Sequence, residues 1–223
     1  MILVRKVILT ACLLLATNVV NAEWSGGVEA GARIGSDERP ALRFFVNKTA
    51  DPWSHFAFLD WIRESGGSNY RIGYNPTFRI SHSFYSFGRF SPEVDDPEGI
   101  DQEIDALAGV GNNLFQRGNT RVKVETGLAA QHLRFEDSTE ETDGFIFVST
   151  DVNSSLLKLL RFDASFTTKL NGDRTEFEGE AGFSFPIGPN TKLRYVYQFQ
   201  RFNFDDRANI VTEDNFFTIS YGF

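Results

Sequence analysis

The feature that most constrains this chain is an alternation of apolar and polar residues with a period of two. Residues 176–185 read Glu-Phe-Glu-Gly-Glu-Ala-Gly-Phe-Ser-Phe, so every Glu falls on one face. The same alternation runs through 70–79, 121–130, 161–170 and 191–200. A helix would mix these residues around its axis, whereas a strand separates them automatically. The pattern therefore predicts an all-β chain whose strands have one apolar and one polar face.

The polar face of the predicted strands is unusually charged for a soluble sandwich or lipocalin. Both signs occur in nearly balanced numbers, and each segment is about ten residues long, the length of a tilted membrane-crossing strand. These features predict a transmembrane β-barrel whose ionised face lines an enclosed lumen. The predicted luminal charge network consists of Glu29, Arg33, Arg43, Arg71, Arg79, Glu103, Asp105, Arg121, Lys123, Glu125, Arg161, Asp163, Lys169, Glu176, Glu178, Glu180, Lys192 and Arg194.

The end of the chain supports the same interpretation. Its last alternating apolar residues are Phe217, Ile219, Tyr221 and Phe223, and they resemble the carboxyl-terminal assembly signal of bacterial outer-membrane barrels. An exposed aromatic strand at the end of a soluble protein would promote aggregation. We therefore expect the barrel-assembly machinery and outer-membrane lipid, including lipopolysaccharide, to be partners of the chain.

The segments predict an antiparallel up-and-down barrel of about twelve strands, with ten as the alternative. An even number is expected when both ends of a single chain lie on one side of the membrane. The weakest segments are 53–63 and 144–154, and the orientation of 53–63 and 84–90 stays open because both carry aromatic residues on each face. The predicted strands are 24–35, 40–48, 53–63, 70–80, 83–91, 101–113, 120–133, 144–154, 160–170, 174–185, 191–202 and 213–223.

The connections between these segments alternate in character. The first, third and later odd ones tend to be longer and more acidic, whereas the even ones are tighter or less acidic. Outer-membrane barrels have long external loops and short periplasmic turns. We therefore place the odd connections outside and expect most of the excess negative charge to lie in them rather than in the lumen.

Residues 1–22 predict a cleaved secretory signal peptide, which leaves 23–223 as the barrel domain. Arg5 and Lys6 precede the apolar run 7–15, and small residues end the segment at Ala22. Too few apolar residues precede Cys12 for a lipoprotein signal. Export together with the barrel pattern predicts localisation to the bacterial outer membrane.

Composition excludes several classes of function. With one Cys, three His and no CxxC pair, the chain is not expected to hold a zinc ribbon or an iron–sulfur cluster. A net charge of −8 does not favour nucleic-acid binding. The acidic loops 91–101 and 136–143 could bind calcium, but residues 95–99 lack the spacing of an EF-hand loop, so solvated loops are the favoured interpretation. We therefore predict no metal and no cofactor.

Four segments carry a family resemblance: 85–90 (Tyr-Ser-Phe-Gly-Arg-Phe), 99–101 (Gly-Ile-Asp), 107–111 (Leu-Ala-Gly-Val-Gly) and 124–128 (Val-Glu-Thr-Gly-Leu). They resemble the YdiY-like family (DUF481), whose members are described as salt-induced outer-membrane proteins. The resemblance implies an outer-membrane β-barrel and implies no catalytic residues.

Three functional hypotheses follow. The first is a barrel with a narrow, charge-lined lumen that serves passive permeation of small solutes or ions, or maintenance of the envelope under osmotic or salt stress. The second is an interfacial lipid-modifying enzyme marked by His132, with Ser138 and Ser149 as nearby nucleophiles. The third is an accessory partner of another envelope protein. Charges of both signs on the luminal face favour permeation, whereas the role under osmotic or salt stress depends on the family resemblance alone.

Overall fold

A computed structural model describes residues 23–34, 39–63, 68–94, 100–157, 159–172, 174–204 and 209–222. The predicted signal peptide (1–22) and Phe223 lie outside the described residues. Within this part of the chain, no helix is long and apolar enough to cross a bilayer.

The described residues form twelve strands that close into one barrel. Each strand pairs antiparallel with the next in sequence, and β12 pairs with β1. The prediction of an up-and-down barrel of twelve strands is confirmed, and the ten-stranded alternative is wrong. The strands are β1 (Glu23–Ile34), β2 (Arg39–Ala50), β3 (Trp53–Arg63), β4 (Ser68–Arg79), β5 (Phe84–Val94), β6 (Ile100–Arg117), β7 (Thr120–Phe135), β8 (Glu140–Leu157), β9 (Leu160–Leu170), β10 (Arg174–Pro186), β11 (Thr191–Phe204) and β12 (Ile210–Gly222).

The two ends of the barrel differ. We call the end where β1 begins and β12 ends the terminal rim, and the other end the distal rim. The turns β2–β3, β4–β5, β6–β7, β8–β9 and β10–β11 lie at the terminal rim. The β6–β7 turn has only two residues between the strands, and Gly118 at its first central position has a φ of 59°. Glycine adopts this left-handed backbone without a steric penalty, which allows the hairpin to reverse so tightly.

The barrel is apolar outside and polar inside, the reverse of a soluble protein. Large apolar side chains such as Phe44, Leu128 and Phe183 are exposed, whereas Glu103, Lys169 and Glu176 are buried. Because successive side chains of a strand point to opposite faces, the sequence alternation places these two sets on the two sides of the wall. The outer surface is thus suited to hydrocarbon and the inner surface to ions and water.

Two apolar clusters fill part of the interior. The first contains Tyr85, Phe87, Leu107, Ala129, Phe145 and Phe147, all on β5–β8. The second contains Ile100, Leu133, Phe135 and Phe202, and Phe202 reaches them from β11. Part of the interior bordered by β5–β8 is therefore packed like a protein core.

The barrel closes where β1 meets β12, in a register that runs from Gly27 opposite Gly222 to Ile34 opposite Asn215. The strands approach closely at Gly31, where a Cβ atom would collide with the backbone carbonyl oxygen of Phe217. A luminal ion pair between Arg33 and Asp214 crosses the same seam. Glycine at position 31 therefore allows the two strands to reach hydrogen-bonding distance.

We predict that Gly31→Val prevents closure of the barrel, because the branched side chain would force β1 away from β12. The matched control is Gly144→Val on β8, where a Cβ atom would meet nothing within 4 Å. The measurement is heat-modifiable gel migration after refolding into detergent micelles. The control should keep the compact unboiled band and Gly31→Val should lose it. A compact band for both variants would contradict the prediction.

Candidate functional site: the lumen

The lumen contains a cavity of about 590 Å³ to which every strand contributes lining residues. We call it the lumen cavity. Its charged lining residues are Glu29, Arg33, Arg43, Asp60, Arg71, Arg89, Glu93, Glu103, Asp105, Lys123, Asp151, Glu178, Glu180, Arg194 and Asp214. Nine of these are carboxylates and six are cations. We expected nearly balanced signs in the lumen and the excess of carboxylates in the loops, so the acidic surplus of this cavity differs from expectation.

One wall of the lumen cavity carries two arginines that flank a ring. Arg43 donates two hydrogen bonds to the carboxylate of Asp60, from Nε at 2.6 Å and from Nη2 at 2.7 Å. Arg71 approaches Glu93 at 3.7 Å. The ring of Phe58 lies 5.4 Å from the Arg43 guanidinium and 6.0 Å from that of Arg71. Paired charges and cation–π contacts thus fix both guanidinium groups against β2–β4.

On the other side of the closing seam, Arg194 on β11 holds the wall together. It donates to Glu180 at 2.7 Å and lies 3.5 Å from Glu29 on β1, so this contact reaches across β12. Gln198 donates to the other oxygen of Glu180 at 2.8 Å. These partly exposed side chains border open space and support the closing seam from inside.

A cluster of three carboxylates surrounds the buried Lys169 of β9. Its ammonium group contacts Glu178 at 2.6 Å, Asp105 at 2.7 Å and Glu176 at 3.3 Å. The Lys169 side chain is 1% exposed and that of Glu176 is 0% exposed. Asp105 belongs to β6, which is not a neighbour of β9, so the contact crosses the interior. Glu176 is out of reach of water, whereas Glu178 is 31% exposed and borders the lumen cavity, so Lys169 compensates both a buried and a partly hydrated carboxylate.

Gln131 and Arg174 extend this cluster toward the distal rim. Gln131 donates to Glu103 at 2.8 Å and to Glu176 at 3.2 Å, and Arg174 in turn donates to Gln131. Arg174 lies 3.3 Å from Asp143, and its guanidinium is 4.8 Å from the centre of the Phe145 ring. These polar contacts connect β6, β7, β8 and β10 across the interior near the distal rim.

A third group of charges lies toward the terminal rim. Glu125 accepts a hydrogen bond from Tyr85 at 2.7 Å and another from Arg89, and Lys123 approaches it at 3.0 Å. Lys123 also lies 3.0 Å from Asp151 on β8. Glu125 is buried, whereas Lys123 and Asp151 are each about a quarter exposed. Lys123 therefore bridges a buried carboxylate and a partly hydrated one.

The structure separates the predicted luminal residues into three environments. Glu29, Arg33, Arg43, Arg71, Glu103, Asp105, Lys123, Glu178, Glu180 and Arg194 line the lumen cavity. Glu125, Lys169 and Glu176 are buried within the polar clusters. Arg79 pairs with Asp51 at the terminal rim, Asp163 is half-buried on β9, and Arg121, Arg161 and Lys192 are exposed near that rim. The predicted residues thus do not form one network.

Sequence reasoning missed Asp60, Arg89, Glu93, Asp151 and Asp214, all of which line the lumen cavity. Asp60 and Arg89 fall in the two segments whose orientation the sequence left open. The pairing of β2 with β3 could have identified Asp60, because Arg43 and Asp60 lie directly opposite each other in this hairpin. Arg174 was not among the predicted luminal residues, although the predicted strand 174–185 begins with it, as β10 does.

The candidate nucleophiles for lipid chemistry do not meet His132. The Nδ1 atom of His132 lies 2.8 Å from the hydroxyl oxygen of Thr142 on the outer face. Ser149 is buried on the luminal face, where it accepts a hydrogen bond from Thr167 at 2.9 Å. Ser138 lies in the β7–β8 turn with a φ of 65°. Neither Ser138 nor Ser149 therefore lies within hydrogen-bonding reach of His132, whose one hydroxyl neighbour in the described structure is Thr142.

One of the acidic loops and the carboxyl-terminal residues are only partly within the described residues. The described residues contain no group of three or more His, Cys, Asp or Glu side chains arranged to hold a metal ion, and residues 95–99 of the first acidic loop lie outside the described residues. Phe217, Ile219 and Tyr221 are all exposed on the outer surface of β12. Their alternation continues the apolar outer face of the barrel to the terminal rim.

The closed antiparallel barrel, apolar outside and charged inside, defines the architecture of a bacterial outer-membrane β-barrel. The NanC porin shares this fold with a TM-score of 0.56 and 9% identity, covering 88% of this chain and 98% of that one. A COG4313 outer-membrane channel from Pseudomonas putida F1 gives a TM-score of 0.53 at 9% identity, covering 92% of this chain and 97% of that one. At such low identity the likeness shows the fold alone.

The DUF481 family, described as a protein of unknown function, matches residues 60–223, and the chain belongs to this family. The family resemblance found in the sequence is therefore confirmed. The comparison with curated protein sequences gives no match.

The buried cluster makes a prediction about stability. Lys169→Met should leave three carboxylates together without a cation, at a cost of about 3–5 kcal/mol in the free energy of unfolding. Lys192→Met is the matched control, because Lys192 is exposed. Urea unfolding of refolded protein in detergent micelles, followed by tryptophan fluorescence, measures both. Equal midpoints for the two variants would show that Lys169 does not hold the cluster together.

Proposed function

We propose that this chain is an integral outer-membrane protein that allows passive permeation of small solutes and ions through a narrow, charge-lined lumen. The observation that carries the proposal is the cavity of about 590 Å³, to which all strands contribute and which paired charges line. A water-filled space bordered by ions inside an apolar wall is the arrangement of outer-membrane channels. The two fold neighbours, a porin and an outer-membrane channel, are consistent with this proposal.

The location belongs to the same proposal. An outer surface with Phe44, Leu128 and Phe183 exposed suits hydrocarbon, and the predicted signal peptide would direct export. The exposed alternating residues of β12 are available for recognition by the barrel-assembly machinery. Lipid and lipopolysaccharide would then be the surroundings of the barrel.

The permeation path we propose is narrow and lies to one side of the barrel axis. Apolar clusters and the Lys169 cluster occupy the interior beside β5–β8. The wall formed by β2–β4 and β10–β12 keeps hydrated, paired side chains next to open space. Such a lumen should pass small ions and exclude large solutes, because close-packed side chains cannot be displaced to widen the path.

Reconstitution of the purified barrel into planar bilayers tests the proposal. We expect discrete current steps of small size in symmetrical potassium chloride. Heat-denatured protein in the same detergent is the control for contaminating channels. Absence of current from protein with the compact gel band would overturn permeation and leave a structural role in the envelope, such as one under osmotic or salt stress.

The charges of the lumen cavity make a prediction about ion selectivity. Glu180→Gln should shift the reversal potential in a potassium chloride gradient toward anion permeation, because it removes a luminal carboxylate and leaves Arg194 less compensated. The matched control is Glu140→Gln, an exposed residue at the start of β8. The control should keep the reversal potential of the unaltered barrel. An unchanged potential in Glu180→Gln would show that permeant ions do not pass this wall.

A further inference from the structure

A second cavity, of about 430 Å³, opens at the terminal rim, and we call it the rim cavity. It is formed where β6–β9 approach this end of the barrel. Its lining residues are Gln116, Gly118, Asn119, Thr120, Arg121, Lys123, Asp151, Asn153, Ser154, Ser155 and Arg161. Most of these side chains are hydrogen-bond donors, and three of them are cations, so the chemistry of the lining differs from that of the lumen cavity.

The positive charge of the rim cavity is only partly compensated. Asp151 is its one carboxylate lining residue, and it pairs with Lys123 at 3.0 Å. Arg121 donates from Nε at 2.9 Å and from Nη2 at 2.6 Å to the side-chain oxygen of Asn113, a neutral group. Among the residues that the structure describes, Arg121 and Arg161 form no ion pair with a carboxylate. Two guanidinium groups therefore face the cavity with their charge uncancelled.

The strands around the rim cavity are shaped to enclose it. Residues 113–117 of β6 extend past the start of β5, which pairs with β6 from Phe84 opposite Asn112 onward. Register shifts interrupt β6 between Asn113 and Phe115 and β8 between Ser155 and Leu157. A bulge changes which side chains point inward, and the first shift places Gln116 opposite Arg121 on the luminal side. The irregular strand ends thus gather polar groups at the rim cavity.

The rim cavity is connected to the lumen rather than to the outer surface. Lys123 and Asp151 line both cavities, so their ion pair is the partition between the two spaces. Because the pair is partly exposed, it adds little stability and can separate at small cost. A ligand of the rim cavity would therefore come from water, and lipid on the outer face would not reach it.

From these observations we infer that the rim cavity is a binding site for a small, multiply charged anion carrying phosphate or carboxylate groups. Arg121 and Arg161 bind the charged oxygens, because guanidinium groups donate paired hydrogen bonds to such groups. The amides of Asn119 and Asn153 and the hydroxyl of Ser155 offer neutral donors around them. The Asp151 carboxylate opposes the anion and limits its affinity. The site does not depend on permeation, since binding requires only access from the terminal rim.

Titration with inorganic phosphate tests the site directly. The refolded barrel is held in micelles of an uncharged maltoside detergent, and binding is followed by broadening of the ³¹P resonance. The double substitution Arg121→Gln/Arg161→Gln should weaken phosphate binding by about tenfold or more, since it removes two charge-assisted contacts. Arg79→Gln is the matched control, because Arg79 pairs with Asp51 and does not line the rim cavity. This control should bind phosphate as the unaltered barrel does.

Asp151→Asn provides a test in the opposite direction. Loss of this carboxylate frees Lys123 from one partner and removes a repelling charge, so phosphate binding should tighten. Absence of phosphate binding by the unaltered barrel, or equal binding by the double variant, would overturn the inference and leave the conductance result standing. Conversely, absence of current together with phosphate binding that Arg121 and Arg161 support would overturn permeation alone.

Discussion

Closure of β1 on β12 is the constraint on which the rest of the structure depends. In hydrocarbon an unpaired strand edge would leave a row of backbone groups without hydrogen-bond partners, each costing several kcal/mol. A sheet can avoid this only by pairing its first strand with its last. Closure then fixes an enclosed inner face, and the alternation of the strands determines which side chains enter it. Gly31 matters for this reason, since the seam admits no side chain there.

Once charged side chains are enclosed, their hydration decides how they must be arranged. Lys169 and Glu176 are out of reach of water, so their charges have to be paired with those of neighbouring side chains. Arg194 and Glu180 border open space, where water shares the compensation and a single contact contributes little. The same residue types therefore hold the interior together beside β6–β10 and line the lumen cavity elsewhere.

The sequence predicted the strands better than the site, and the reason is physical. Alternation over ten residues identifies a strand and its two faces, so all twelve strands were predicted near their observed bounds. It fails where both faces carry aromatic residues: Phe56 and Phe58 point inward beside Asp60, and Phe87 points inward beside Arg89. Because some apolar residues lie inside the barrel, the apolar face of a strand does not always identify the side that contacts lipid.

Contacts across the lumen were beyond sequence reasoning altogether. The alternation along a strand shows which side chains point into the interior. The contact between Lys169 and Asp105 also depends on the distance between β6 and β9 across the lumen, which the alternation does not give. The register shifts near Asn113 and Ser155 could not be predicted from the sequence either. An extra residue changes the facing of everything beyond it, and nothing in the composition of 113–117 marks the shift.

The two cavities follow from this uneven filling. Buried aromatic residues of β5–β8 remove space from the middle of the barrel on their side. Toward the terminal rim the same strands end in Arg121, Asn153 and other polar residues, and space reopens as the rim cavity. The lumen cavity has more carboxylates than cations, and the rim cavity has more cations than carboxylates. The two cavities meet at Lys123 and Asp151. The net charge of the lining residues therefore changes sign from the lumen cavity to the rim cavity.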